Sequence, residues 1–160
     1  MKIVVTGSEG TIGKHLVPWL EREGHSVVKI SKSLGHDLTN PIVVNDLFSD
    51  PDFSGNALVN LFGANPSLFA GDIWDFPEEE FQRILNVNVS SLFSVCREFA
   101  AYNAGSPIVN FSSIYGVVSP DPNLYEPSYI KNIAYSVSKA AVIQLTKCLA
   151  THFKRTRVNC

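Results

Sequence analysis

Apolar positions along this chain follow two periods, and the period switches from segment to segment. Residues 2–6, Lys-Ile-Val-Val-Thr, are a short β-branched run that reads as a buried strand. Residues 14–23 carry helical periodicity through His15, Leu16, Trp19 and Leu20, with Gly24 as the stop. Pro18 inside that pattern predicts a bend or a late start. Residues 26–31 read as a second strand, and Gly35-His36-Asp37-Leu38 as room for a short third one. The link between those two is too short for a crossover helix, so it predicts a loop or a single turn. Asn40-Pro41 marks a cap and first helical residue, opening a helix to about 48. Residues 56–61 predict a fourth strand, and 62–77, rich in Gly, Pro, Asn and Asp, a loop. Pro77 and three glutamates then open a helix to about 103. Its apolar face is Phe81, Ile84, Leu85, Val89, Leu92, Phe93, Cys96, Phe99 and Ala100. Residues 107–111 predict a fifth strand. Residues 116–128, broken by Pro120, Pro122 and Pro127, predict an exposed loop, and 134–153 a long helix. Another strand begins at 157 and the chain stops at Cys160.

Strand and helix alternate throughout, which predicts a parallel sheet covered on both faces. The chain has 160 residues, room for one domain with a sizeable core. A stop inside a strand-like run predicts a sheet one or two strands short, hence a fragment or truncated product. The net charge is −2, which offers no reason to expect nucleic acid or an anionic membrane as partner. No apolar run reaches membrane-spanning length. Three widely spaced cysteines form neither a metal pattern nor an even disulfide set, and four scattered histidines add no metal site. These features predict a reducing, cytoplasmic setting.

Two local patterns carry chemistry. Gly7, Gly10 and Gly13 follow a strand and open a helix, as a dinucleotide-binding turn requires. Glycines let backbone amides approach a pyrophosphate, and the helix start adds free N–H groups and partial positive charge. The spacing is GxxGxxG, and the same glycines would also serve a tight βα turn for packing alone. At the end of the second strand no acid is present to bind a ribose 2′-hydroxyl. Ser31 and Lys32 stand there instead and could receive a 2′-phosphate, which tilts the expectation toward NADP over NAD. Asp37 and Leu38 are placed beside the adenine, though Asp37 could equally cap a turn. The second pattern is Tyr135-Ser136-Val137-Ser138-Lys139. Its tyrosine and lysine share one helix face, where an ammonium favours a phenolate. A tyrosine so placed can pass a proton, yet the spacing alone is common on helix surfaces.

Taken in order, these segments resemble the short-chain dehydrogenase/reductase family over essentially the whole chain. Residues 6–13, Thr-Gly-Ser-Glu-Gly-Thr-Ile-Gly, look like its cofactor loop, which implies contacts from Gly7, Ser8, Glu9, Gly10, Thr11, Ile12 and Gly13. Asn60-Leu61-Phe62-Gly63 stands where the family has Asn-Asn-Ala-Gly, which supports the cofactor and the central sheet; only Asn60 and Gly63 match, and the resemblance implies a place for both at the cofactor site. Asn88 matches the catalytic asparagine, and the Ser-x-x-Gly register selects Ser113 over Ser112. Tyr135 and Lys139 complete the set. The resemblance implies a single NAD(P)-binding, Rossmann-type, doubly wound domain over 1–160, lacking its last strand or strands. It implies an oxidoreductase of the EC 1.1.1 type acting between an alcohol and a carbonyl. Tyr135 would donate the proton, Ser113 hold the substrate oxygen, Lys139 act on Tyr135 and the ribose, and Asn88 hold a relay water. The long stretch from Ser113 to Tyr135, 22 positions, resembles a branch that modifies sugars and surface glycans. Dimers or tetramers would form through the helices near 78–103 and 134–153. The alternative is a catalytically silent nucleotide-binding or scaffold domain. The family's Pro-Gly motif after the 158–159 strand and its substrate-covering loop are not in this sequence. For the 160-residue form this implies weak cofactor binding and little activity.

Overall fold

A computed structural model describes residues 1–66, 69–126 and 129–160. Five parallel strands form the central sheet: β1 (Lys2–Thr6), β2 (Ser26–Ile30), β3 (Ala57–Asn60), β5 (Ile108–Asn110) and β7 (Val158–Asn159). Their spatial order is β2-β1-β3-β5-β7. The chain thus steps outward from β1 to β2, then returns to the other side of β1 for β3. That reversal opens a crevice at the carboxyl ends of β1 and β3, where open α/β sheets bind ligands.

Residues on β1 alternate between two cores. Val4 joins Ile30, Leu58 and Ile108 under α2 (Pro41–Ser49), α4 (Ser91–Tyr102) and α5 (Ile133–His152). Ile3 and Val5 face the other way and pack with Val17 and Leu20 of α1 (Gly13–Arg22). A strand covered on both faces has no polar side, which is why β1 reads as a continuous apolar run.

Helix α1 begins at Gly13 and continues through Pro18, on its exposed side, so it does not start late. The expected face is corrected here: His15 and Trp19 point to solvent, and Gly13, Val17 and Leu20 are buried. Gly24 ends the helix at φ 82°; its N–H donates to Glu21 O and that of His25 to Leu20 O. The third strand expected at 35–38 is absent. Residues Lys32–Leu34 make a 3-10 turn closed by Gly35 at φ 91°, and Thr39 donates twice to Asp37 Oδ1. These local bonds hold the backbone out of the sheet. Asn40 caps α2 by accepting from Ile42 N–H, with Pro41 at the first turn.

The expected long helix at 77–103 is α3 (Glu78–Leu85) and α4 joined by a π-turn at Asn86–Ser90. The N–H and hydroxyl of Ser91 both donate to Asn86 O, five residues back. Within its apolar face, Phe93 is exposed. The two loops expected at 62–77 and 116–128 meet in the same region. Strand β4 (Phe69–Ala70), within the first, pairs antiparallel with β6 (Tyr129–Ile130), just past the second. Pairing of two residues per strand leaves too little pattern to read in advance. Pro127, counted in the second loop, lies outside the described residues.

Beneath the crevice a polar chain crosses the core. Thr6 Oγ1 donates to Asn60 Oδ1 at 2.8 Å, Asn60 Nδ2 to Asn110 Oδ1 at 2.9 Å, and Asn110 Nδ2 to Thr146 Oγ1 at 3.0 Å. It ties β1, β3, β5 and α5 together, and each member is satisfied, as burial demands. Cys96 sits against it, and burial pushes its thiol up to about 12. Cys148 and Cys160 are exposed. In native protein a thiol reagent should therefore label Cys148 and Cys160 quickly and Cys96 only on unfolding. Equal labelling rates for all three would contradict this packing. The raised thiol value also sets a sign. Its contribution to stability is whole below the ordinary value of 9.0 and is lost as pH rises toward about 12.

Candidate active site

The glycine loop is built by close approach. Gly7 has φ 69°, and a Cβ there would lie 2.6 Å from Phe62 N on the loop after β3. A Cβ on Gly13 would lie 2.4 Å from both Gly7 O and Ser8 O, so only glycine lets α1 start this near β1. The α1 N-terminus has no side-chain cap and no acid in its first turn. Lys14, His15 and Leu16 N–H already donate to Gly10 O and Ile12 O, so what suits a phosphate here is the partial positive charge of the helix start. Gly7, Glu9, Gly10, Thr11 and Ile12 line a cleft of about 720 Å³ that also reaches Tyr135 and Lys139. Three residues expected here do not face it. Ser8 is 1% exposed, and both its N–H and its hydroxyl donate to Ile30 O. Asn60 belongs to the buried chain below the cleft floor. Both hold the strands under the loop. Gly13 likewise acts by proximity, beneath the lining.

At the far end of the cleft lie Ser31, Lys32, Asp37 and Leu38. Lys32 Nζ is 3.5 Å from Asp37 Oδ2. The Thr39 hydroxyl and N–H, with Lys32, hold the Asp37 carboxyl below the usual carboxylate range. The sequence did not show that these two residues pair, because the turn at 32–35 folds one back on the other. It also left out Ser33 and Thr39, which line the same end.

The other end is organised by α5. Asn132 caps it, accepting from Tyr135 N–H, so Tyr135 sits in the first turn. Lys139 is one turn on and 9% exposed, and its Nζ donates to Phe111 O at 2.7 Å. Burial pulls its ammonium below the ordinary lysine value. Nζ is 5.8 Å from the Tyr135 ring centroid. The two adjacent serines have different jobs. Ser112 Oγ donates to Lys139 O at 2.7 Å, which pins α5 to the segment after β5. Ser113 Oγ accepts from Tyr115 N–H at 3.2 Å and so keeps its own proton to donate. Gly116 allows this segment to press on α5, since a Cβ there would lie 2.8 Å from Lys139 C and O.

Asn88 stands on the π-turn, 3% exposed. Its Oδ1 accepts from Ala64 N–H at 2.7 Å, and its Nδ2 donates to Ala64 O and to Ser138 Oγ, both at 2.9 Å. It clamps the loop after β3 to α5. Gly63 lies in the clamp, where a Cβ would come 3.1 Å from Asn88 Oδ1 and 3.8 Å from Lys139 Nζ. Lys131 also stands here, its Nζ 5.4 Å from the Tyr135 ring centroid. The one hint of it in the sequence is its place four residues before Tyr135.

The switch-point cleft, the glycine cradle and the parallel sheet define a Rossmann-type α/β domain. A family profile described as Enoyl-(Acyl carrier protein) reductase matches residues 37–160. The chain is 32% identical over 169 residues to an uncharacterized short-chain type dehydrogenase/reductase of Sinorhizobium fredii, covering 92% of this chain and 29% of that one. Over 80 residues it is 39% identical to 2-dehydro-3-deoxy-L-rhamnonate dehydrogenase (NAD(+)) of a Sphingomonas species, covering 48% and 28%. A short chain dehydrogenase of Leptospira borgpetersenii with bound NAD+ superposes with TM-score 0.84 and 24% identity, over 100% of this chain and 69% of that one. A small-chain dehydrogenase in complex with NADPH gives 0.82 and 21%, over 99% and 68%. At these identities the two structures speak for the fold. The chain belongs to the short-chain dehydrogenase/reductase family. It spans under a third of the length of the two curated relatives above. Among the described residues no helix is long and apolar enough to cross a membrane.

Proposed function

We propose that this chain carries the cofactor site and proton-transfer groups of an NAD(P)-dependent oxidoreductase that interconverts an alcohol and a carbonyl. The observation that carries this reading is one cleft lined at one end by the glycine loop and at the other by Tyr135 and Lys139. The cradle fits the cofactor, because Gly7, Gly10, Thr11 and Ile12 line the cleft beside an uncapped helix start, and the missing Cβ atoms of Gly7 and Gly13 let the loop pack this close to the strands. When bound, the nicotinamide supplies or accepts the hydride. In reduction, Tyr135 gives its phenolic proton to the substrate oxygen. Ser113 donates to the same oxygen and stabilises its developing charge. Lys139 sets positive charge beside Tyr135 as the proton leaves, and binds the ribose hydroxyls. Asn88 positions this group. Both its amide N–H groups are used, so a relay water would bind its oxygens. Oxidation reverses each role.

The test is a titration with NADH and NADPH separately, followed by a carbonyl panel. Binding with turnover would support this reading and overturn the expectation of weak binding and little activity for the 160-residue form. Binding without turnover would leave the silent nucleotide-binding domain. Ser31 and Lys32 at the cleft end support NADP, although Asp37 competes for Lys32. Lys32→Ala should weaken NADPH about fivefold and leave NADH unchanged, since an exposed charge pair is worth about 1 kcal/mol. An equal effect on both cofactors would remove Lys32 from phosphate recognition. A sugar-derived substrate is supported by the Sphingomonas relative, whose name is that of a sugar-acid dehydrogenase. The exposed Phe93 on α4 and Val137 on α5 support self-association through those helices. Three free thiols suit a reducing cytoplasm.

A further inference from the structure

Tyr135 lies between two lysines, of which only Lys139 has a part in the proton transfer proposed for it. Lys139 approaches from within α5 and is committed to a main-chain carbonyl. Lys131 approaches from outside the helix. It directly follows β6, and the next residue, Asn132, caps α5, so its main chain is held on both sides. Its side chain is half-buried. Nζ lies 5.4 Å from the Tyr135 ring centroid and 6.0 Å from that of Tyr115, and 3.4 Å from Asn65 Oδ1 in the cleft wall. Tyr115 is itself held, its hydroxyl 2.7 Å from that of Tyr125. Two aromatic faces and one amide oxygen therefore fix where this ammonium sits.

What the ammonium lacks is an anion. The ion pairs among the described residues join Lys29 to Glu21, Lys32 to Asp37, Arg83 to Glu80 and Arg97 to Glu98. None includes Lys131. A lysine has three N–H donors, and Asn65 takes one. A cation held between rings, partly out of water and without a counter-charge, is suited to receive one. It lines a second cavity, of about 510 Å³, with Tyr115, Tyr125 and Ser136, separate from the cleft that the glycine loop and Lys32 line, and from there it stands beside the ring of the proposed proton donor. A group bound there belongs to the substrate and not to the cofactor phosphates.

We propose that Lys131 is a specificity-determining residue that binds a carboxylate carried by the substrate close to its reacting carbon. The substrate class is then oxo acids and their hydroxy acids, sugar acids included. This rests on the reading of Tyr135 and the cleft given above, which places the reacting carbon. It adds no chemical step: Lys131 orients the acid while Tyr135 exchanges the proton.

The test pairs each acid with its primary amide, which keeps the shape and removes the charge. The probes are 2-oxobutanoate with 2-oxobutanamide and 4-oxopentanoate with 4-oxopentanamide. Binding is measured by calorimetry in the presence of cofactor, and kcat/KM wherever there is turnover. Wild type should prefer at least one acid over its amide by about tenfold. Lys131→Gln should bring that ratio near one with the amide values unchanged, and Lys131→Arg should keep the preference. A loss that fell equally on acid and amide would mark Lys131 as structural and overturn the inference. So would a wild type that treats acid and amide alike, or that binds neither acid. Turnover of amide and acid alike would leave the oxidoreductase reading standing while removing Lys131 from it. An acid preference that depends on Lys131, with no turnover, would do the reverse.

Discussion

Tyr135→Phe should abolish turnover and leave cofactor binding near the wild-type level. The change removes one oxygen from a ring that stays in the first turn of α5, where Asn132 caps it through the main chain. Phe keeps the ring that Lys139 and Lys131 face at 5.8 and 5.4 Å, so neither cation loses its aromatic neighbour. The glycine loop, which lines the same cleft through Gly7 and Glu9 to Ile12, does not touch the removed oxygen's ring position and keeps its geometry. A positioned proton donor contributes about 10²- to 10⁴-fold to rate, and losses in that range are expected. Steady-state rates with NADH and NADPH, alongside fluorescence titration of each cofactor, make the measurement. Turnover within a few-fold of wild type would take Tyr135 out of the proton-transfer role. Loss of cofactor binding in the same variant would show that it had been holding the cleft and not the proton.

Gly7→Ala should cost both the fold and the cofactor. Alanine at φ 69° carries about 1–2 kcal/mol of left-handed strain. Its Cβ would also meet Phe62 N at 2.6 Å, and backbone on a packed strand end cannot step aside cheaply. Overpacking of that kind adds about 1–3 kcal/mol. Together these should lower the melting temperature by roughly 10 °C in a chain of this size. If the loop shifts to make room, the residues that line the cleft beside it, Glu9 to Ile12, shift with it, and cofactor titration should show the loss. Gly24→Ala is the matched control. It has φ 82° but no atom within 4 Å of its Cβ position, and lies at the far end of α1. It should carry the strain alone and bind cofactor as wild type does. Equal behaviour of the two variants would mean that the close approach at Gly7 does not matter.

These two experiments probe features of different legibility. The glycine loop could be read from the chain because its parts are adjacent: strand, three glycines and helix within a dozen residues of one another. The same holds for Tyr135 and Lys139, placed on one face by helix geometry alone. The role of Ser8 could not be read this way, and of the two roles implied for Asn60, cofactor and sheet support, the structure shows the sheet one. Their positions in the motifs suggested contact with the cofactor, yet Ser8 bonds Ile30 O and Asn60 bonds Thr6 and Asn110. Those partners come from other strands, and which way a polar side chain turns depends on what the sheet brings beside it. The face of α1 misled for a similar reason. His15 and Trp19 fit a helical stripe, but the sheet lies against Val17 and Leu20, and burial follows the partner surface.

From the chain alone came the alternating elements, the parallel sheet they imply, the cradle, and the pairing of Tyr135 with Lys139. Each rests on local sterics or on a short period, and both act over a few residues. Tertiary structure decided the rest. It replaced a strand at 35–38 with a turn, set a π-turn under Asn88, and split the work of Ser112 and Ser113. It also joined β4 to β6, and so delivered Lys131 to the ring of Tyr135. These outcomes depend on contacts between segments far apart in sequence, whose geometry exists only once the sheet has formed.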